Sequence, residues 1–493
     1  MQMQNDNLKF KNKRVGILGL GEENIAVVEY LIKQNAKVVI CDEMRRGELG
    51  EYYRKVKDLP VQFRLGPHYL DHLEDFKIIF RTPGLPYFNE KIQVAKKNGV
   101  EISSQTKLFF DLCPSPIIGV TGTKGKGTTT SLIGEILKLA SGRPSLSGTH
   151  PSPVSNSPSA IRDAATSLGV SPRPITRVFV GGNIGNPPIK FIDELTKDDI
   201  VVLELSSFQL QDLDRSPHIA VILDIRVDHL DIHKDEAEYV EAKRNIVRYQ
   251  TKQDFAVINA DYLTSIEFAS STPAKIFWFS RRKSVDLGTF VLNDELIMRT
   301  EKSEKSVVKI SDIQLRGLHN LENICAAIIA SYLAIRESAG SGLTRADIES
   351  IKKGVKEFKG LEHRLEFVRE IDKIKFYNDS FSTTPETTIA AIKSFDEPII
   401  LLLGGSEKNA DYQELAKTIE QKNIKLIIPI GRTAKRIVPC LGEIKSIEEA
   451  VKIAADKAKS GDIVLLSPAS ASFDRFKNYK ERGKLFKKAV QNL

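Results

Sequence analysis

Residues 117–137, IIGVTGTKGKGTTTSLIGEIL, admit few folds. They read as a short apolar strand, a glycine-spaced loop and a helix that opens on three threonines. Glycine leaves backbone N–H groups free to converge on an anion, and a helix N-terminus adds unpaired N–H groups and a positive dipole end. Gly122, Thr123, Lys124, Gly125, Lys126, Gly127, Thr128 and Thr129 are therefore the candidate phosphate cradle, with Lys126 reaching the outer phosphates. Two departures from the standard P-loop stand out: Val120 occupies its first glycine position, and Gly127 the Ser/Thr position after the lysine. The metal-ligating hydroxyl is accordingly assigned to Thr128. An accidental lysine in a glycine turn is the plainer alternative, and the density of Gly, Lys and Thr weighs against it.

A chain of 493 residues has room for about three domains. Its 72 basic and 64 acidic residues leave a net charge of +8, spread along the chain without a basic arm. That excludes the usual nucleic-acid signature and suits small polyanions. The cysteines Cys41, Cys113, Cys325 and Cys440 are dispersed, as in a reducing compartment. The polar N-terminus does not read as a signal peptide, and no apolar run approaches membrane-spanning length. A soluble, cytoplasmic protein is expected.

Residues 14–42 read strand, glycine turn, helix, strand. Gly16, Gly19 and Gly21 fit part of a dinucleotide fingerprint, but Asn24 takes the third glycine's place. Asp42 stands where a ribose-binding acid would, although a Rossmann-like turn without NAD is at least as good a reading. Thr82-Pro83-Gly84 follows another strand. The expected domains are 1–113, 114–356 and 357–493, α/β throughout: Rossmann-like, P-loop ATPase-type with a mostly parallel sheet, and Rossmann-like. Residues 141–174, rich in Ser, Pro and Gly and containing His150, read as a mobile insertion.

In DIVVLELSSFQL, Glu204 interrupts an apolar strand, and a bound cation is its natural partner. His229 and His233 have a zinc-compatible spacing but no evident third ligand, so His229 is favoured for Mg²⁺, with Asp228 in support. By composition alone Lys243, among Glu236, Glu238 and Glu241, belongs to a solvated helix face. Residues 275–315 read as antiparallel hairpins at the domain edge. In the long helix from LRGLHNLEN, Asn320 and Asn323 could read an adenine edge, N-capping being the other account of Asn320.

Taken in order, GLG, TGTKGKGTT, GGNIG, LELSSFQL, DHLD, the Tyr239–Lys243 helix, HNLEN, GLEHR, NDS, LLLGG with Lys408 and LSPASASFDRFKNY resemble the Mur ligases of peptidoglycan synthesis over the whole chain. The resemblance is to the branch joining D-glutamate to UDP-N-acetylmuramoyl-L-alanine. It implies ATP-dependent activation of a carboxylate as an acyl phosphate, which the incoming amine attacks. It also implies two Mg²⁺ ions, one on Thr128 and Glu204, the other on His229 and a carbamylated Lys243. Asn320, Asn323, Arg364 and Asp379 correspond to residues around the nucleotide. Gly19, Asp42, Glu43 and Gly84 match loops receiving the UDP group, and Asn183 and Ser206 the sugar–peptide path. Thr383, Lys408, Ser472, Phe473 and Tyr479 fall where D-glutamate is held. A monomer acting on these small molecules, without nucleic acid or membrane, is the implied form.

The pattern departs at NDSFSTT, where Phe381 replaces a lysine, and at GKG, which is closer to folylpolyglutamate synthase. The competing readings are a folate-extending ligase, an NAD-dependent oxidoreductase built on the first domain, and a non-catalytic ATP switch. The N- and C-terminal motifs argue against the first, Asn24 against the second, and Glu204, His229 and Lys243 together against the third.

Overall fold

The computed structural model describes residues 9–141, 177–226, 233–339, 344–406, 410–437, 444 and 446–493. They form two compact units: one of the described residues up to Val307 together with Glu322–Gly354, the other of Val308–Leu321 and those from Val355 onward.

The first unit holds two sheets. Its N-terminal strands are β1 (Arg14–Leu18), β2 (Lys37–Asp42), β3 (Gln62–Leu65), β4 (Ile78–Arg81) and β5 (Glu101–Ser103), in the order β3-β2-β1-β4-β5. All pair in parallel, as the alternation of strands with helices dictates. Leu18 faces Cys41 on one side and Arg81 on the other, so the loops after β1, β2 and β4 share one edge. Gly19 has φ +80°, and a Cβ there would meet the Thr82 methyl at 2.5 Å; only glycine lets these two loops approach.

The second sheet contains β6 (Ile117–Thr121), β7 (Val178–Gly182), β8 (Ile200–Glu204), β9 (Ile219–Ile222), β10 (Phe255–Asn259), β11 (Lys275–Ser280), β12 (Gly288–Leu292), β13 (Glu295–Arg299) and β14 (Glu304–Lys309). Its order is β14-β13-β12-β11-β10-β9-β6-β8-β7. β6, β8 and β9 are wholly buried, which is why they read as unbroken apolar runs. The antiparallel expectation for 275–315 needs correcting. β12 and β13 do form an antiparallel pair, but β11 runs parallel to both β10 and β12. The chain returns from β10 through helical turns at Leu263–Ile266 and Glu267–Ser271, and such a crossover enforces parallel pairing.

The second unit carries β15 (Glu366–Ile371), β16 (Ile374–Asn378), β17 (Ile399–Leu403), β18 (Ile424–Pro429) and β19 (Ile463–Leu466), ordered β15-β16-β19-β17-β18. Only β15 is antiparallel. Against expectation, one helix segment among the described residues, Leu318–Ser338, is long and apolar enough to cross a membrane. Its apolar stretch is 89% buried inside the protein, the environment of a core helix. The 141–174 insertion with His150, apart from Ser141 at the end of the preceding helix, lies outside the described residues, as does Cys440.

Candidate active site

The glycine loop leaves β6 with Gly122 at φ +157° and turns into helix Lys126–Ala140 through Gly125 at φ +88°. A Cβ on Gly125 would collide with the Asn323 amide, whose Cγ would lie 3.0 Å away, so the loop rests directly on the long helix. Lys126 Nζ donates to the carbonyls of Gly122 (3.0 Å) and Thr123 (3.2 Å), curling over its own loop. The Thr123 N–H donates to Asp224 O at 2.7 Å, and its hydroxyl stands 3.0 Å from Tyr239 Oη. Burial pushes the Asp224 carboxyl above its usual range despite Arg226 Nε at 2.6 Å. Thr128 is 8% exposed, whereas Thr129 is fully buried, its hydroxyl turned into the protein.

Strand register brings the carboxylate to this loop. Glu204 faces Val120 across β8–β6 and Gly182 across β8–β7, at the carboxyl ends of all three strands. Asn183 Nδ2 donates to Glu204 Oε1 at 3.1 Å. Lys243 is 1% exposed; Nζ donates to Gly122 O (3.2 Å) and Thr121 Oγ1 (3.3 Å) and lies 4.8 Å from the Tyr239 ring centre. The solvated-face reading of this lysine is therefore wrong: its helix, Glu236–Arg248, turns it inward onto the P-loop. Among the described residues no cluster of three His, Cys, Asp or Glu side chains forms. A threonine hydroxyl and a carboxylate are oxygen donors suited to Mg²⁺ rather than zinc, and the glycine cradle suits a polyphosphate. Asp228 and His229 lie outside the described residues. His233 is committed within the protein: Nε2 is 2.9 Å from Ser207 Oγ, and its ring stacks on Phe208 at 4.8 Å.

At the N-terminal sheet, Asp42 accepts the N–H of Leu20 (2.7 Å) and of Met44 (2.9 Å), so both carboxylate oxygens brace the loop beside Gly19. Asn24 Nδ2 donates to the carbonyls of Leu18 (3.1 Å) and Gly19 (2.7 Å), tying the turn from within. Glu43 and Gly84 stand exposed on the same edge. Ser206 caps the Gln209 N–H at 3.3 Å, and Gln209 Nε2 reaches Glu23 Oε1 at 2.6 Å. Burial raises the Glu23 pKa more than this bond lowers it.

In the second unit, Asn378 faces Leu466, which sets the NDS turn beside the SPASAS turn. Asp379 accepts Ser467 Oγ at 2.7 Å and the Leu365 N–H at 3.1 Å, yet burial pushes its carboxyl up to about 6. Arg364 places its guanidinium 3.7 Å from the Phe381 ring centre. Thr383 and Tyr479 are half-buried, Ser472 is buried, and Phe473 is 72% exposed. Asn320 Nδ2 donates to Arg316 O at 2.6 Å; it sits inside the helix rather than at its cap. Lys408 lies outside the described residues.

Two buried groups escaped the sequence reading. Glu322 accepts from Asn259 Nδ2 (3.3 Å), Tyr262 Oη (3.1 Å) and Arg281 Nε (2.5 Å), anchoring the helix that carries Asn323. Arg482 donates to Ser380 Oγ (3.0 Å), Ser380 O (2.9 Å) and Ser470 O (3.1 Å). Glu322 stands at the head of an apolar run, which was its only signal, whereas Arg482, among Lys480, Glu481 and Lys484, gave none.

Known families match this architecture sheet by sheet. The Mur ligase MurD-like N-terminal domain matches residues 13–104, the Mur ligase middle domain 182–331, and the Mur ligase glutamate ligase domain 363–470. A UDP-N-acetylmuramoylalanine–D-glutamate ligase from Acetivibrio thermocellus is 38% identical, covering 98% of this chain and 97% of the relative. One from Clostridium tetani is 37% identical over the full length of both. Among solved structures, a MurF from Acinetobacter baumannii shares the fold with a TM-score of 0.56 at 15% identity, covering 99% of this chain and 98% of that one. A pseudomurein peptide ligase type C from Methanothermus fervidus does so with a TM-score of 0.50 at 17% identity, covering 98% and 100%. Identity at this level through all three sheets, joined to a P-loop flanked by Glu204 and Lys243, means that the chain belongs to the Mur ligase family.

Proposed function

We propose that this enzyme is an ATP-dependent, ADP-forming ligase that adds D-glutamate to UDP-N-acetylmuramoyl-L-alanine in peptidoglycan precursor synthesis. The observation that carries the reading is the register of β6 and β8, which sets the Glu204 carboxylate beside the loop bearing Lys126. The relatives named for this reaction, alike over the whole length, support it. The substrate's L-alanyl carboxylate oxygen would attack the γ-phosphorus of ATP as the β–γ bridging bond breaks. The D-glutamate amine would then attack the acyl carbon, shed a proton and expel phosphate.

Lys126 and the loop N–H groups stabilise charge on the phosphoryl oxygens. Thr128 and Glu204 would hold one Mg²⁺ and His229 with a carbamylated Lys243 the other, the ions neutralising phosphate charge. Burial of Lys243 beside Gly122 supports that site, since a carbamate would replace a buried ammonium by an anion that the Mg²⁺ would neutralise. The reading carries domains of 1–113, 114–356 and 357–493, with nucleotide contacts from Asn320, Asn323, Arg364 and Asp379. Gly19, Asp42, Glu43, Gly84, Asn183 and Ser206 serve the UDP substrate; Thr383, Lys408, Ser472, Phe473 and Tyr479 serve the amino acid. A monomeric cytoplasmic enzyme completes it.

The test is phosphate release with UDP-N-acetylmuramoyl-L-alanine, ATP and a panel of D- and L-amino acids, with a folate acceptor as a separate arm. Release dependent on D-glutamate is expected. Release with none of the amino acids would overturn the assignment.

A further inference from the structure

Arg364 is held in an unusual way. The residues on both sides of it, His363 at φ +68° and Leu365 at φ +44°, occupy the left-handed region without being glycine. Such backbone persists only where its surroundings over-determine it. Here the His363 N–H donates to Glu366 Oε2 at 2.8 Å, His363 Nδ1 accepts from Asn378 Nδ2 at 2.8 Å, and the Leu365 N–H donates to Asp379 Oδ1 at 3.1 Å. The turn is thus pinned to the first two residues of the NDS motif, and the third is followed at once by Phe381. The Phe381 N–H in turn donates to His363 O at 2.9 Å, closing the two loops on each other.

The side chains continue the same arrangement. The Arg364 guanidinium lies 3.7 Å from the Phe381 ring centre, well inside cation–π range. The Phe381 ring is itself fixed edge-on against Tyr479, with centroids 5.0 Å apart and planes at 86°. A guanidinium held this close over an aromatic ring is restrained in direction, and its planar N–H fork is the group that grips a carboxylate or phosphate.

We propose that Phe381 is a positioning residue: its ring is the shelf that orients Arg364 toward an anionic group of the substrates. This rests on the ligase reading above and deepens it. The lysine that the family pattern places at 381 would contribute its own charge; in this chain the position contributes a face, and the charge comes from Arg364. The anion is either a nucleotide phosphate or the carboxylate of the incoming amino acid, and the two are separable by experiment.

The experiment compares Phe381→Leu, Phe381→Met, Phe381→Trp, Arg364→Met and the double variant Phe381→Leu/Arg364→Met. The readouts are KM for ATP, KM for D-glutamate, kcat, melting temperature, and calorimetric titration with β,γ-methylene-ATP. Leu and Met at 381 are expected to raise one KM roughly two- to thirty-fold, with the melting temperature nearly unchanged and Trp restoring the wild-type value. The double variant is expected to be no worse than Arg364→Met alone, because the shelf has nothing left to hold. A rise in KM for ATP with weaker analogue binding identifies a phosphate; a rise in KM for D-glutamate identifies a carboxylate. Unchanged values for both, or additive losses in the double variant, overturn the proposal. Analogue binding without turnover in the wild type would sink the ligase reading, and the titration series would still decide the role of Phe381: loss in Leu and Met, with rescue by Trp, upholds it, and no loss rejects it.

Discussion

Arg81 and Asp212 form a salt bridge at 3.3 Å with side chains only 1% and 3% exposed. It joins the end of β4, where the Thr82-Pro83-Gly84 loop begins, to the turn after helix Ser207–Leu210. Arg81 also donates to Leu85 O (2.6 Å) and Phe208 O (3.2 Å), and Ser104 Oγ donates to the other Asp212 oxygen at 3.1 Å. Burial raises the Asp212 pKa in spite of Arg81. Removing one partner strands the other, so Asp212→Ala is expected to cost about 3–5 kcal/mol in urea unfolding, while Arg81→Leu/Asp212→Leu together cost much less.

Asp379 gives a pH signature. Burial pushes its carboxyl up to about 6 in the folded protein, against about 4 for an exposed aspartate. A raised carboxylate pKa means that the folded state binds more protons between those values. The Asp379 contribution to stability therefore falls as pH rises from about 4 to about 6, by up to about 3 kcal/mol, and stays constant above. Across that window the unfolding free energy of the wild type should fall relative to that of Asp379→Asn, as denaturant titrations at each pH would show.

Asn24→Gly would restore the glycine spacing of a dinucleotide fingerprint. It would also delete the bonds to Leu18 O and Gly19 O. The expected result is a loss of about 1–3 kcal/mol in stability and no nicotinamide fluorescence response in either protein.

Glu204 and Asn183 should separate by magnitude. Glu204→Gln removes the anionic oxygen beside the P-loop, and kcat is expected to fall by roughly a hundred- to a thousand-fold. Asn183→Ala leaves the carboxylate but frees it to rotate. The Mg²⁺ concentration for half-maximal rate should then rise about ten-fold, as a metal titration of phosphate release would show.

The P-loop and Glu204 were legible because their signals are local: glycines at fixed spacing, and one charge inside an apolar strand. Lys243 was legible only through the family resemblance, since a lysine among glutamates looks the same whether its helix faces water or the loop. Asp42 was legible in position, but its bonds to the Leu20 and Met44 N–H groups were not, because backbone donors carry no residue identity. The direction of β11 escaped because apolar alternation is shared by both pairing modes, and only the intervening crossover decides between them. Glu322 and its partners Asn259 and Arg281 are separated by 63 and 41 residues. No window of sequence reveals such a meeting.

Arg482 lies 102 residues beyond Ser380, and its guanidinium is what ties the NDS turn to Ser470. Pairings of such long range raise contact order and form late in folding. A partly folded chain can therefore possess its strands and still lack an ordered NDS turn. Docking of the helix Tyr479–Gln491 is what brings the Arg482 guanidinium to this turn.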